Sequence, residues 1–204
     1  MASVRAAFTA TLPALGRAAP ARRLAAAAAA ARPARAAVAA ASRRGGATMA
    51  AAAGSLADLG TVPDIDGGPL PLAGRPTFVV NVASECGYTA SGYQQMKDVL
   101  AKYGDRVAVV AVPCNAFGMQ EPGSADQIKS FVASRAPGVL IAPKSAVNGA
   151  EAHPLFAVGK TAFPGDCGWN FACRFLYDKD GKPVARFDNA SSLTDVTAAI
   201  DPLL

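Results

Sequence analysis

Phe78-Val79-Val80-Asn81-Val82-Ala83-Ser84-Glu85-Cys86-Gly87-Tyr88-Thr89 is an apolar run that breaks into a small polar turn carrying one cysteine. Residues 77–83 are almost continuously apolar, the pattern of a central strand covered on both faces. A helical pattern begins near Ser91, with Tyr93, Met96, Leu100 and Tyr103 at helical spacing and Gly104 as a stop. The stretch therefore predicts a strand, a tight turn and a helix, with Cys86 in the turn. Backbone N–H groups and the helix macrodipole favour an anion at such a place. It is one of the few environments that turn an ordinary thiol into a thiolate near neutral pH. A small buried cysteine filling the turn is the alternative that this stretch leaves open.

Outward from there, the chain alternates. Asp64–Gly74 carries strong turn chemistry (Asp64-Ile65-Asp66-Gly67-Gly68-Pro69) and predicts an N-terminal β-hairpin or edge strand. Val107–Val112 reads as a second buried strand, ended by Pro113. Ser124-Ala125-Asp126-Gln127 is a capping-box pattern opening a helix whose apolar face holds Ile128, Phe131 and Val132. Val139–Ala142 predicts a short strand and Pro154–Lys160 a short helix. Phe171–Tyr177 and Pro183–Phe187 are joined by Asp178-Lys179-Asp180-Gly181, a hairpin signal. Residues 193–204 close the chain as a helix. Strand–helix–strand–helix followed by a hairpin and a helix gives an α/β class. The expected architecture is a central mixed sheet, half parallel and half antiparallel, flanked by helices on both faces: a thioredoxin-like fold.

The charge is uneven over the 204 residues. Residues 1–57 hold eight arginines and no acid, which leaves 12 of the 20 basic residues to face all 15 acids, a balance of about −3. The net +5 thus belongs to the tail, and a nucleic-acid role for the folded part does not follow from it. The tail is Ala- and Arg-rich and punctuated by Pro20 and Pro33. Arg17, Arg22, Arg23 and Arg32 interrupt every candidate signal-peptide core, and no segment reaches the ~18 apolar residues of a membrane span. This is the signature of an organellar transit peptide over 1–54, removed to leave a domain over 55–204. Its length and alanine content favour the chloroplast over the mitochondrion.

Cys86, Cys114, Cys167 and Cys173 form no CxxC pair, and His153 is the only histidine. Clustered zinc ligands are excluded, and no metal or other cofactor is expected. His153, just before Pro154-Leu155-Phe156, reads as a helix-capping residue and not a catalytic base.

Three blocks, in order, resemble the glutathione peroxidase family from about Asp64 to the C-terminus. They are Asn81-Val-Ala-Ser-Glu-Cys86-Gly87-Tyr88-Thr89, Val112-Pro-Cys114-Asn115-Ala-Phe117-Gly118-Met-Gln120-Glu121-Pro122-Gly123, and Trp169-Asn170-Phe171. The resemblance implies that Cys86 reduces peroxides and that Gln120, Trp169 and Asn170 complete the site. The chemistry suits these residue types: a thiolate attacks the O–O bond and becomes a sulfenic acid, while amide and indole N–H groups donate without acting as bases. It further implies glutathione or thioredoxin as the reducing co-substrate, hydrogen peroxide and organic or lipid hydroperoxides as substrates, and a role in oxidative stress. Plant-type members regenerate the enzyme with a second cysteine, but Ala133 stands where it is expected. Cys167 is the nearest substitute in sequence, and direct reduction by an external thiol is the simpler route. The short connection from Gly149 to Trp169 resembles the monomeric phospholipid-hydroperoxide type, with an open site and transient contact with lipid membranes. Lys97, Lys144 and Arg174 are candidates for a positive rim. The second functional class that this sequence admits is a peroxide sensor, in which Cys86 passes its oxidation to a partner protein. The peroxiredoxin family does not fit, because the Pro and Thr that precede its cysteine are missing here.

Overall fold

All six residues of strand β1 (Thr77–Val82) are buried, and the rest of the domain is laid over its two faces. The computed structural model describes residues 53–204, so the predicted transit peptide lies, up to residue 52, outside the described residues. Alternate side chains of β1 serve different cores: Phe78, Val80 and Val82 enter one layer and Val79 the other. Strand β2 (Ala108–Pro113) runs parallel to β1 with Val79 opposite Val110, and is buried along its whole length. The short β3 (Leu140–Ile141) adds in parallel outside β2. On the other side of β1, β4 (Arg174–Tyr177) and β5 (Pro183–Phe187) add antiparallel, giving the order β3-β2-β1-β4-β5.

Helices α1 (Thr89–Tyr103), α2 (Ala125–Arg135) and α4 (Leu193–Ile200) cover the face that receives Phe78 and Val80. Their contributions include Tyr93, Met96, Ile128, Val132, Val196 and Ile200. Helix α3 (Pro154–Ala162) covers the opposite face with Leu155, Phe156 and Val158. Each large apolar side chain so buried contributes roughly 1.5–3 kcal/mol. The capping box at Ser124 is present, with the Gln127 N–H donating to Ser124 Oγ and the Ser124 N–H to Gln127 Oε1. This is the expected α/β, thioredoxin-like architecture.

The local differences have physical causes. At the N-terminal hairpin, one antiparallel bridge joins Pro63 and Pro69 around a turn held by Asp64. Prolines at 63, 69 and 71 lack the N–H groups that a longer ladder needs. Strand β4 begins at Arg174 and not Phe171, because Phe171 sits at φ +62 and turns the chain before it can pair. The last helix ends at Ile200, and Asp201–Leu203 tightens into a 3-10 turn at Pro202. The β4–β5 hairpin turns where expected, with Asp178 Oδ1 accepting the N–H groups of Asp180 and Lys182 and with Gly181 at φ +79. None of the helices among the described residues is long and apolar enough to cross a membrane.

Candidate active site

Strand β1 ends at Val82, and within seven residues the chain has turned into α1. Thr89 organises that turn. Its hydroxyl donates to the Ala83 carbonyl at 2.7 Å and accepts the Cys86 N–H at 3.1 Å, while its own N–H donates to the Cys86 carbonyl at 3.0 Å. These bonds hold Cys86 at the N-terminus of a 15-residue helix, where Cys86 Sγ accepts the Tyr88 N–H at 3.5 Å. The residue is 8% exposed and belongs to the core layer of Tyr93, Met96 and Phe171.

Gln120 comes from the turn after β2. That turn passes through Gly118 (φ 61) and Met119 (φ 54) and delivers the Gln120 carbonyl to the Glu85 N–H, 3.0 Å away and next to Cys86. Behind it lies Glu121, fully buried. The Ser84 hydroxyl donates to its Oε1 at 2.5 Å, its N–H donates to Asn115 Oδ1, and its Oε2 has no partner among the described residues. Burial raises its carboxyl pKa above the usual range, with the Ser84 hydrogen bond opposing. The bonds of residues 120 and 121 thus join the Gln120 turn to both residues before Cys86.

Trp169 and Asn170 arrive from the segment before β4. Trp169, 39% exposed, lies against Phe117 with ring centres 5.9 Å apart, and its ring edge approaches Gly118. Asn170 is fully buried, and its Nδ2 donates to Gln120 Oε1 at 3.1 Å and to the Phe117 carbonyl at 3.3 Å. Since a carboxamide has two N–H bonds, Asn170 commits both to fixing the Gln120 turn. That leaves the Nε2 end of Gln120 as its outward donor. Gln120, Trp169 and Asn170 are therefore gathered at one turn, and the Glu85–Gln120 bond ties that turn to Cys86. Among the described residues, Cys86 Sγ has no hydrogen bond to any of the three side chains.

Asn81 holds the second half of the site to the central strand. Buried in β1, it donates from Nδ2 to the Trp169 carbonyl at 2.9 Å and accepts the Cys173 N–H at Oδ1, 3.2 Å away. Its backbone carbonyl accepts the Phe171 N–H at 2.9 Å, and its N–H donates to the Cys173 carbonyl at 3.4 Å. Four polar groups of one residue thus grip the segment that carries Trp169 and Asn170. The available signal was an amide side chain inside an otherwise apolar strand.

Other expectations change. Cys167 is disulfide-bonded to Cys173, and both lie in the core layer opposite that of Cys86, so in this arrangement Cys167 has no free thiol to serve as the substitute resolver. Cys114 is a free, fully buried thiol in that same layer. Arg174 is not part of a rim. It is buried, with its guanidinium bonded to Gln95 and to the Phe171 and Ser191 carbonyls. Lys144 is near the site but spends its ammonium on the Glu121 and Gly123 carbonyls. His153 is the N-cap of α3, its Nδ1 accepting the Leu155 N–H, and burial pulls its pKa down to about 4. Among the described residues, no group of three or more potential metal ligands comes together.

Comparison with known proteins places these features in context. The family model described as Glutathione peroxidase matches residues 61–160. The hydroperoxy fatty acid reductase gpx1 of Synechocystis sp. is 38% identical over 156 residues, covering 69% of this chain and 90% of that protein. Phospholipid hydroperoxide glutathione peroxidase 1, chloroplastic, of Arabidopsis thaliana is 39% identical over 153 residues, 71% of this chain and 64% of that one. Among solved structures, T. cruzi GPX1 superposes with a TM-score of 0.56 at 34% identity, covering 70% of this chain and 92% of that chain.

Proposed function

The chain belongs to the glutathione peroxidase family, and from that premise we propose that Cys86 is the residue that meets the peroxide. As a member it is a thiol-dependent oxidoreductase that reduces peroxides. In the proposed cycle the Cys86 thiolate attacks one oxygen of the O–O bond. The other oxygen leaves as alkoxide or hydroxide and takes up the proton the thiol released, so that alcohol or water departs and Cys86 is a sulfenic acid. The Tyr88 N–H stabilises the sulfur anion, Gln120 Nε2 and the Trp169 indole N–H receive the charge that develops on the leaving oxygen, and Asn170 holds Gln120 in place. A thiol of glutathione or thioredoxin then attacks the sulfenic sulfur and expels water. A second thiol breaks the resulting mixed disulfide and restores Cys86.

The observation that carries this reading is the seating of Cys86 Sγ at the start of α1, with the Gln120–Asn170 turn tied to the preceding residue. An external reductant is supported by Ala133, by the pairing of Cys167 with Cys173 and by the burial of Cys114. The exposed Trp169 face suits bulky lipid hydroperoxides, and the short 149–169 connection suits a monomer that meets membranes transiently. The tail composition, together with the chloroplastic relative, supports the chloroplast. Peroxide turnover with glutathione and with thioredoxin in parallel tests the cycle: Cys86→Ser abolishes it with both, and surviving turnover refutes the assignment. The pairing of Cys167 with Cys173 and the full burial of Cys114 also favour a relay, in which a partner protein's thiol takes the oxidation. In that case peroxide yields a Cys86-linked mixed disulfide with a protein, without multiple turnover.

A further inference from the structure

Cys167 and Cys173 close a seven-residue loop with Cα atoms 5.2 Å apart, and inside that loop lie Trp169 and Asn170. The two ends of the loop are anchored separately. Asn148 grips Cys167, its Oδ1 accepting the Cys167 N–H at 2.8 Å and its Nδ2 donating to the Cys167 carbonyl at 2.9 Å, and Lys160 in turn holds Asn148. Asn81 grips Trp169, Phe171 and Cys173. Between the two anchors stands Gly168, exposed and with open space where a Cβ would be. The disulfide is the one covalent tie, other than the chain itself, between the Asn148-held end and the Asn81-held end. Without it, Gly168 is a free joint immediately before Trp169.

We propose that Cys167–Cys173 is a second redox site, separate from Cys86, opened by a dithiol reductant and closed by peroxide, and that its state sets how firmly Trp169 and Asn170 are held. The functional half of this rests on the reading of those two residues as part of the peroxide site. Cys86 lies in the other core layer, so the state of the pair is set without touching it. In the reductive direction, one thiolate of the dithiol attacks the sulfur of Cys167 and expels the Cys173 thiolate, which takes up a proton. The second thiol of the dithiol then displaces Cys167, leaving an oxidised dithiol and two protein thiols. In the oxidative direction, one protein thiol reduces a hydroperoxide to the alcohol and becomes a sulfenic acid, which condenses with the other thiol and releases water. Cys167 is 2% and Cys173 0% exposed, while residues 164–166 and 168 are exposed. Exchange therefore proceeds through local opening of this segment and is slow in the folded protein.

Trp169 is the only tryptophan of the chain, so its fluorescence reads the loop directly. In the full chain, alkylation of unfolded, unreduced protein is expected to mark Cys86 and Cys114 alone, and all four cysteines after dithiothreitol. Dithiothreitol is expected to increase acrylamide quenching of Trp169 in the wild type and not in Cys167→Ser/Cys173→Ser, which behaves as permanently open. Glutathione-driven kcat/KM of that variant is expected to fall about tenfold. This is less than the ~100-fold that a 1 Å misplacement of a catalytic group can cost, because Asn81 still holds the far end. Asn148→Ala, which loosens only the near anchor, is expected to speed reduction of the pair. Four alkylatable thiols in unreduced protein, or unchanged Trp169 quenching on reduction, overturn the second redox site. A quenching response with unchanged kcat/KM overturns its link to catalysis. If Asn170→Ala and Trp169→Phe keep full turnover, the donor assignment has failed instead, and the quenching result still decides the redox site.

Discussion

Replacing Gly92 with alanine sets two rules against each other. Gly92 lies in the first turns of α1, and by helix propensity alone alanine stabilises by up to about 1 kcal/mol. A Cβ there, however, would stand 2.2 Å from Cδ1 and 2.6 Å from Cε1 of Phe171. Carbon contacts settle near 3.5–4.0 Å, so the ring must withdraw by roughly 1.3 Å or more. It has little room to do so, because Phe171 is fully buried, packs edge-on to Tyr93 at 5.8 Å and is held at φ +62 with its N–H on Asn81. Overpacking of this kind costs about 1–3 kcal/mol. The net expectation is a destabilisation of about 1–2 kcal/mol, which for a domain of this size lowers Tm by about 2–4 °C per kcal/mol. Because Asn170 adjoins Phe171, kcat/KM should fall as well, measured where the variant is still folded. Calorimetry and peroxide turnover on Gly92→Ala read both, and Gly92→Ala/Phe171→Leu should recover part of the loss as a favourable coupling energy. A Tm equal to or above that of the wild type refutes the close-contact argument.

Asn81→Ala leaves the Cys173 N–H and the Trp169 carbonyl without side-chain partners, at about 1–3 kcal/mol for each buried group; urea unfolding should show a loss of about 2–6 kcal/mol, together with reduced turnover of the folded protein. Glu121 has its pKa raised by burial, so its stabilising neutral form is complete below the ordinary carboxylate range and is lost as pH rises through the folded value. Glu121→Gln should therefore gain in urea midpoint relative to wild type as pH rises above 4.5, and a constant difference would contradict this. His153 has the opposite sign: its folded pKa of about 4 lies below the usual 6.5, so its contribution is full above pH 6.5 and is lost as pH falls toward 4. The full shift corresponds to roughly 3 kcal/mol, and His153→Asn, which puts a capping oxygen in place of the Nδ1 acceptor, should flatten the acid side of the stability–pH curve.

What could be read in the sequence was whatever depends on neighbours a few residues away. The buried run of β1, the periodicity of α1, the capping box at Ser124 and the Asp178–Gly181 turn are local patterns. Gln120, Trp169 and Asn170 could be nominated only through their likeness to a family. Their meeting at one turn depends on Gly118, Met119 and Phe171 adopting positive φ, and two of those three carry no sequence signal for it. The Cys167–Cys173 pairing was hidden for the same reason. Six residues of extended chain span about 20 Å, and only the turn at Phe171 brings the two Cα atoms within reach. Arg174 looked like a surface charge because its partners Gln95 and Ser191 lie far from it along the chain, on and beside other helices.

Asn81 puts the site's second half on the same footing as the sheet. The segment that carries Trp169 and Asn170 is wired into the central strand almost as another strand would be, through the backbone N–H and carbonyl of one residue and both ends of its carboxamide. Its order is therefore settled when β1 forms and not at each encounter with a peroxide. On the proposed reading of the site, a peroxide arriving at Cys86 would meet donors whose conformational entropy was lost during folding, leaving little reorganisation for the chemical step to bear.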